Sequence, residues 1–223
     1  MKGSVLKLVA MQTSQAHPHS QQHPLRVRTT SGWVEGTLCS EGVGDNPALV
    51  RAWRGVPFAA ETSGARRYRA PEPAPRWDGV RDCTEYGPAA PQPTYSWTEK
   101  VLGSEDCLHL DIVRPNNDEQ LPVVVYFHGG SFILGSSHML MLRGLELAAN
   151  MNCVYVSVNF RLGALGYLDV SSLAGDAEAN PAMRDHIAAL EWVRENIAQF
   201  GGDPESVTAM GESAGGAAVL ALM

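Results

Sequence analysis

Ser213 lies in the run Gly211-Glu212-Ser213-Ala214-Gly215-Gly216. A serine hydroxyl is a weak nucleophile until a base takes its proton and donors stabilise the charge on the oxygen it attacks. The G-x-S-x-G spacing suits the second requirement. A serine on a sharp strand-to-helix turn brings neighbouring backbones so close that side chains two positions either side would collide, hence Gly211 and Gly215. The turn also aims the free N–H groups of the new helix, Ala214 first, at the reacting oxygen. A second segment, His128-Gly129-Gly130-Ser131, follows an apolar run, and glycine loops of this kind add further amides to an oxyanion hole. One such donor is typically worth about 3–4 kcal/mol in the transition state. The chemistry these two segments suit is acyl transfer through Ser213.

Such a site needs a stiff platform. Pro122–Phe127 and Cys153–Val158 are continuous apolar runs, as expected of strands covered on both faces, and Val207–Met210 reads as a short third. Between the last two the sequence predicts a helix, with Asn180 as N-cap, Pro181 at the first position and Gly201-Gly202 as exit. Met183, Ile187, Leu190, Val193 and Ile197 would form its buried stripe. Strands alternating with helices imply α/β class and a parallel sheet. The first half reads differently. Val27–Thr30 and Trp33–Leu38 around Ser31-Gly32 predict a hairpin, and Arg51–Phe58 a strand. Recurrent prolines make 71–93 a long loop. The alternation in Leu108–Val113 predicts a half-exposed strand near a sheet edge.

The composition bounds the rest. At 223 residues, 44% hydrophobic and 18% charged, the chain is one globular domain rather than a disordered polyelectrolyte. A net charge of −7 argues against nucleic acid or an anionic membrane as partner. No stretch approaches the roughly 20 apolar residues of a membrane helix. The four cysteines, Cys39, Cys83, Cys107 and Cys153, include no C-x-x-C pair, so a zinc knuckle or thioredoxin-like motif has no support; no metal and no cofactor are expected. Residues 1–24 read as a disordered leader, with His17, His19 and His23 solvated rather than metal-binding. Its apolar centre is short and Ser14-Gln15-Ala16 is a weak cleavage signal, so the cytoplasm is expected, with secretion as the alternative.

Several segments together resemble the type-B carboxylesterases, the family of cholinesterases and bacterial para-nitrobenzyl esterases. Phe200-Gly201-Gly202-Asp203-Pro204, continuing through Val207-Thr208 to the Ser213 turn, is similar to the family's active-site signature. Ser104-Glu105-Asp106-Cys107-Leu108-His109-Leu110-Asp111 is similar to its second signature. Arg54-Gly55-Val56-Pro57-Phe58-Ala59 resembles its early R-G-I-P-Y-A segment, and Asn159-Phe160-Arg161-Leu162-Gly163 its N-Y-R-x-G segment. The resemblance runs from about Val27 to the last residue. It implies an α/β-hydrolase fold, a mostly parallel sheet with an antiparallel N-terminal part, ending after the nucleophile turn.

By that resemblance Ser213 is the acyl-forming nucleophile. Gly130, Ser131 and Ala214 donate the oxyanion N–H groups, and Gly129 shapes the loop. Glu212 is a buried polar support, Arg54 with Glu105 and Arg161 with Asp185 are structural ion pairs, and Cys83 with Cys107 is a possible disulfide. If oxidised, that bridge would add about 3 kcal/mol by loop-closure entropy. Ser131 stands where many members have a third glycine, and Ala182 and His186 where Gly and Gln are usual. His186 is expected to pack rather than act as base. Trp97 sits at the offset of the choline-binding tryptophan, where a shielding loop aromatic is the preferred reading.

The order in this fold is Ser, then Asp or Glu, then His. Ten residues follow Ser213, none acidic, and all seven histidines precede it. The sequence is therefore expected to be the N-terminal part of a serine carboxylic-ester hydrolase for small esters, inactive without its acid and base. The alternative is a non-catalytic binding or adhesion relative on the same scaffold.

Overall fold

The computed structural model describes residues 24–40, 49–94 and 100–223. The expected leader, Pro24 apart, lies outside the described residues, as does Trp97. The Ser31-Gly32 turn joins β1 (Arg26–Arg28) to β2 (Trp33–Glu35), antiparallel with Val27 opposite Val34. After Gly36 the chain enters the large sheet as the antiparallel pair β3 (Thr37–Ser40) and β4 (Leu49–Pro57). The proline-rich stretch is mostly irregular, but β5 (Val80–Asp82) returns beside β2, and β6 (Gln92–Pro93) pairs with β7 (Val101–Leu102).

β8 (His109–Pro115), β9 (Leu121–Phe127), β10 (Val154–Val158) and β11 (Gly202–Gly211) complete the six-stranded sheet, in the order β11-β9-β10-β8-β4-β3. The β10-β9-β11 part is parallel, whereas β3, β4, β8 and β10 pair antiparallel. The helices are α1 (Leu145–Met151), α2 (Gly163–Tyr167), α3 (Pro181–Asn196) and α4 (Ala214–Leu222). Strand alternation sorts the core onto two faces. Val123, Val125, Phe127, Val154, Val156 and Val158 face Ala189, Trp192 and Val193 of α3, with Val219 and Leu222 of α4 beside them. Tyr126, Tyr155 and Val113 face Leu145 and Ala148 of α1. The first six side chains are each worth roughly 1.5–3 kcal/mol on burial, so the sheet can carry local strain at its end.

Four expectations are corrected here. β8 is not a half-exposed edge strand; it lies inside the sheet with His109, Asp111 and Arg114 buried. Asp111 and Arg114 are satisfied internally, whereas His109 Nδ1 has no hydrogen-bond partner among the described residues. Asp111 accepts the Gly55 N–H at 2.8 Å, where β4 bulges, and the Ser137 hydroxyl at 2.6 Å. Arg114 donates to the carbonyls of Phe200, Asn117 and Glu119.

The buried stripe of α3 is also rotated from the expected one. Ala182, Asp185, His186, Ala189, Trp192, Val193 and Asn196 are buried, while Ile187 is 37% exposed. Small alanines let the helix approach closely, and the Asp185 ion pair turns a polar position inward. Asn180 adopts φ 55° and makes no side-chain cap bond, so it is a turn residue rather than a hydrogen-bonding cap. Finally, Val207–Met210 is not buried on both faces. Among the described strands β11 pairs only with β9, leaving Val207 and Met210 exposed.

Candidate active site

Parallel strands deliver the two glycine segments to one place. In the β9–β11 register Gly211 stands opposite Phe127, so the chain leaves both strands at the same level. Ligand sites of such sheets form beyond the carboxyl ends of the strands. Ser213 there adopts φ 54° and ψ −119°, a strain of about 1–3 kcal/mol for a residue with a side chain. The glycines make the turn possible. A Cβ on Gly215 would run into the Phe127 carbonyl oxygen, and one on Gly211 into the backbone of Gly215. Both obstacles are backbone and cannot rotate away. Gly215→Ala should therefore cost about 3 kcal/mol, the upper end of ordinary overpacking, read as a lowered urea midpoint. A loss under about 1 kcal/mol would show that the turn relaxes.

The other half of the site is the loop after β9. Gly130 has φ 121°, and the next two residues continue at positive φ, Ser131 at 54° and Phe132 at 65°. Gly130 O accepts the N–H groups of Ile133 and Leu134 at 3.0 and 3.1 Å, and Phe132 O accepts that of Gly163 at 2.7 Å. A Cβ on Gly129 would touch the Glu212 carboxylate and lie 3.2 Å from Ser213 Cβ. Only a glycine lets the loop come this close to Ser213. The amides of Gly130, Ser131 and Ala214 meet no acceptor among the described residues. Three uncommitted donors therefore stand on the two segments that flank Ser213, as an oxyanion site requires.

Sequence reasoning missed the groups that fasten this loop. Gln92 clamps Gly135 from both sides, accepting its N–H at 2.9 Å and donating to its carbonyl at 2.8 Å. Further along, the Ser137 N–H donates to Asn159 Oδ1 and the Ser137 carbonyl accepts the Ser157 hydroxyl. Burial pushes the Asp111 carboxyl, which holds Ser137, up to about 6. Only the polar residue in the apolar rhythm of β8 hinted at this anchor.

Other expected residues fall as follows. Glu212 is exposed, not a buried support, because nothing in the described chain covers the outer side of the turn. Glu105 pairs with Arg67, bidentate at 2.5 and 2.6 Å, and not with Arg54. The β4 bulge turns Arg54 instead onto the Thr84 carbonyl, with its guanidinium 4.7 Å from the Tyr86 ring centroid. Arg161 grips the fully buried Asp185 through Nε at 2.8 Å and Nη2 at 2.6 Å. Cys83 and Cys107 are buried free thiols; burial pushes Cys83 up to about 12 and Cys107 higher still.

No histidine reaches Ser213 among the described residues. His128 and His186 both pack against Phe160 with ring centroids 4.3 Å away. Desolvation pushes them down to about 4 and about 3, respectively. They are neutral packing groups at physiological pH. Among the described residues no three His, Cys, Asp or Glu side chains are grouped to hold a metal ion.

Residues 23–223 match the model of the carboxylesterase family. The chain belongs to that family. It is similar to the para-nitrobenzyl esterase of Bacillus subtilis, 44% identical over 88% of this chain and 40% of the esterase. It is also 38% identical to the acetylcholinesterase of Gallus gallus, over 96% of this chain and 30% of that protein. A solved para-nitrobenzyl esterase superposes with a TM-score of 0.80 at 42% identity, covering 89% of this chain and 40% of that one. A Geobacillus stearothermophilus carboxylesterase gives 0.76 at 38% identity, covering 87% and 39%. The fold of this carboxylesterase-family chain is therefore that of the α/β-hydrolases, and the chain spans about 40% of the length of the first of these relatives.

Proposed function

We propose that these residues form the acyl-transfer half of a serine carboxylic-ester hydrolase. Ser213 Oγ attacks the ester carbonyl, the carbonyl electrons move onto the oxygen facing Gly130, Ser131 and Ala214, and the alcohol departs. Water then releases the acid and restores Ser213. The observation that supports this best is Ser213, strained at the end of β11 with three uncommitted amides on the segments beside it. The base and its orienting acid come from sequence beyond these 223 residues, in keeping with the greater length of the relatives.

The substrate class is a small carboxylic ester, for which the names of the para-nitrobenzyl esterase and acetylcholinesterase relatives give support. No nucleic acid or cofactor enters the scheme, and no described helix is long and apolar enough to cross a membrane. A cytoplasmic location is part of the proposal; oxidation in a secreted form would join Cys83 to Cys107. The test is substrate choice. Joined to the C-terminal portion of the para-nitrobenzyl esterase, the chain should hydrolyse para-nitrophenyl butyrate at least about 100-fold faster than the matching anilide, as expected of an ester-selective site. Comparable rates on the amide would point to a peptidase instead.

A further inference from the structure

His128 and His186 leave three ring nitrogens unexplained. His128 Nδ1 lies 2.8 Å from the Gly129 carbonyl, but its Nε2 has no partner, nor has either nitrogen of His186. The residues are 1% and 0% exposed. The rings occupy one aromatic cluster: His128 stacks on Phe160, and His186 meets Phe160 and, edge-on at 4.8 Å, Phe127. Buried polar atoms are nearly always paired, so a group of orphans marks a place that tolerates only the neutral rings.

We propose that His128, Phe160 and His186 form an acid-sensitive latch under the oxyanion loop, closed while both rings are neutral and opened when either binds a proton. A proton on His128 would sit at Nε2, against Phe160, with no acceptor. A proton on His186 would add a second donor to a ring that already lacks a partner. The only relief is water, and the two elements differ in how readily they admit it. His186 is in the middle of the 16-residue α3. His128 begins an irregular loop with positive φ at Gly130, Ser131, Phe132 and Gly135, and with Ile133 49% exposed on its rim. The loop is thus the part that moves. When His128 leaves with it, His186 is uncovered as well.

Among the described residues no neighbouring charge offers a counter-ion. Asp185, beside His186 on α3, is taken by Arg161, which follows Phe160 in sequence. Tyr167 on α2 is a neutral phenol with its hydroxyl buried. His138, further along the loop, opposes a charge on His128 and is itself held down by burial and by Arg143, so it adds to the proton uptake when the loop opens. Glu212 lies against Gly129, not against the rings. Asp111 behind the loop acts in the opposite sense: its raised carboxyl gains its proton in the folded state, so acid does not loosen that anchor through it.

The sign follows from linkage. Both histidines are depressed in the closed state, so the closed state is fully favoured above about pH 6.5 and loses ground as pH falls toward about 4. Each histidine released raises the opening constant about tenfold per pH unit in that window. From about pH 6 to about pH 4.5, opening rises roughly 30-fold if one ring is freed and about 1,000-fold if both are.

Hydrogen exchange of the 223-residue chain, corrected for intrinsic rates, reads this without substrate and so is independent of the esterase reading. Exchange over 128–139 should climb on acidification with a slope of up to three protons, because His138 within the loop is held down as well, while β9 and β10 stay protected. His186→Gln should lower the slope by one. An unchanged slope in that variant, no pH dependence of the loop, or an equal climb in every segment (global acid unfolding) would overturn the latch. Should the variant not fold, histidine ring proton shifts of the unsubstituted chain decide. Rings that remain neutral until the loop opens support the latch, and a ring titrating near 6.5 with the loop closed overturns it.

Discussion

Arg161→Met should destabilise the fold by about 3–5 kcal/mol at neutral pH, the cost of leaving a buried charge without its partner. Asp185 is fully buried and accepts from Arg161 through Nε, Nη2 and the backbone N–H. The same guanidinium donates to the carbonyls of Arg69 and Pro181, tying the loop near residue 69 to the start of α3. Methionine fills similar volume but offers no donor. Burial already pushes the Asp185 carboxyl upward against the pull of Arg161, and without that pull the folded state would take up a proton. A carboxyl raised in the folded state stabilises below its unfolded pKa and loses that contribution as pH rises. The penalty should therefore be smaller at about pH 5 than at about pH 7. In a chain of this size the loss corresponds to a drop in Tm of roughly 10 °C. The double variant Arg161→Met/Asp185→Leu should recover most of it, because no charge is then left behind. A single-variant loss below about 1 kcal/mol would mean that the pair is not a structural tie.

The second large effect concerns turnover. Alone, the 223-residue chain should hydrolyse para-nitrophenyl butyrate on the order of 10⁶-fold more slowly than when joined to the C-terminal portion of the para-nitrobenzyl esterase. That is the size of the loss when a serine hydrolase lacks its histidine. Ser213 is exposed and no described side chain takes its proton. In the proposed scheme the amides of Gly130, Ser131 and Ala214 alone would leave only a residual acceleration. His128 and His186 cannot substitute, because they are buried against Phe160 and held neutral. A Ser213-dependent rate within about tenfold of the chimera would show that a base is present after all.

The parts of the site that were legible in the sequence are those dictated by backbone crowding. Gly211, Gly215 and Gly129 are glycines because a Cβ would strike another backbone or the Glu212 and Ser213 side chains, and such a constraint leaves its mark as a fixed spacing. The β9 and β10 runs were legible for a related reason: a strand covered on both faces has no polar alternation to confuse. Misreadings arose where polarity was taken for exposure. His109 and Asp111 interrupt an apolar rhythm yet are buried, and a bulge in β4 and the Ser137 hydroxyl satisfy Asp111. On α3 the large aliphatic residues suggested one face, but close approach through Ala182 and Ala189 and the Arg161–Asp185 pair selected another. Arg54 and Arg67 show the limit of pairing by sequence. Which guanidinium reaches Glu105 depends on a bulge that no local pattern announces. The Gln92 clamp is of the same kind: a single glutamine becomes part of the site only through the fold.

Fluorophosphonate labelling tests the central claim most directly, because the probe reacts with a serine only when nucleophile, base and oxyanion donors act together. In the chimera with the para-nitrobenzyl esterase's C-terminal portion, peptide mapping should place one adduct, on Ser213, and Ser213→Ala should abolish it. An adduct that persists in a folded Ser213→Ala protein, or a folded chimera whose Ser213 stays unmodified, would contradict the assignment of Ser213 as the acyl-forming nucleophile.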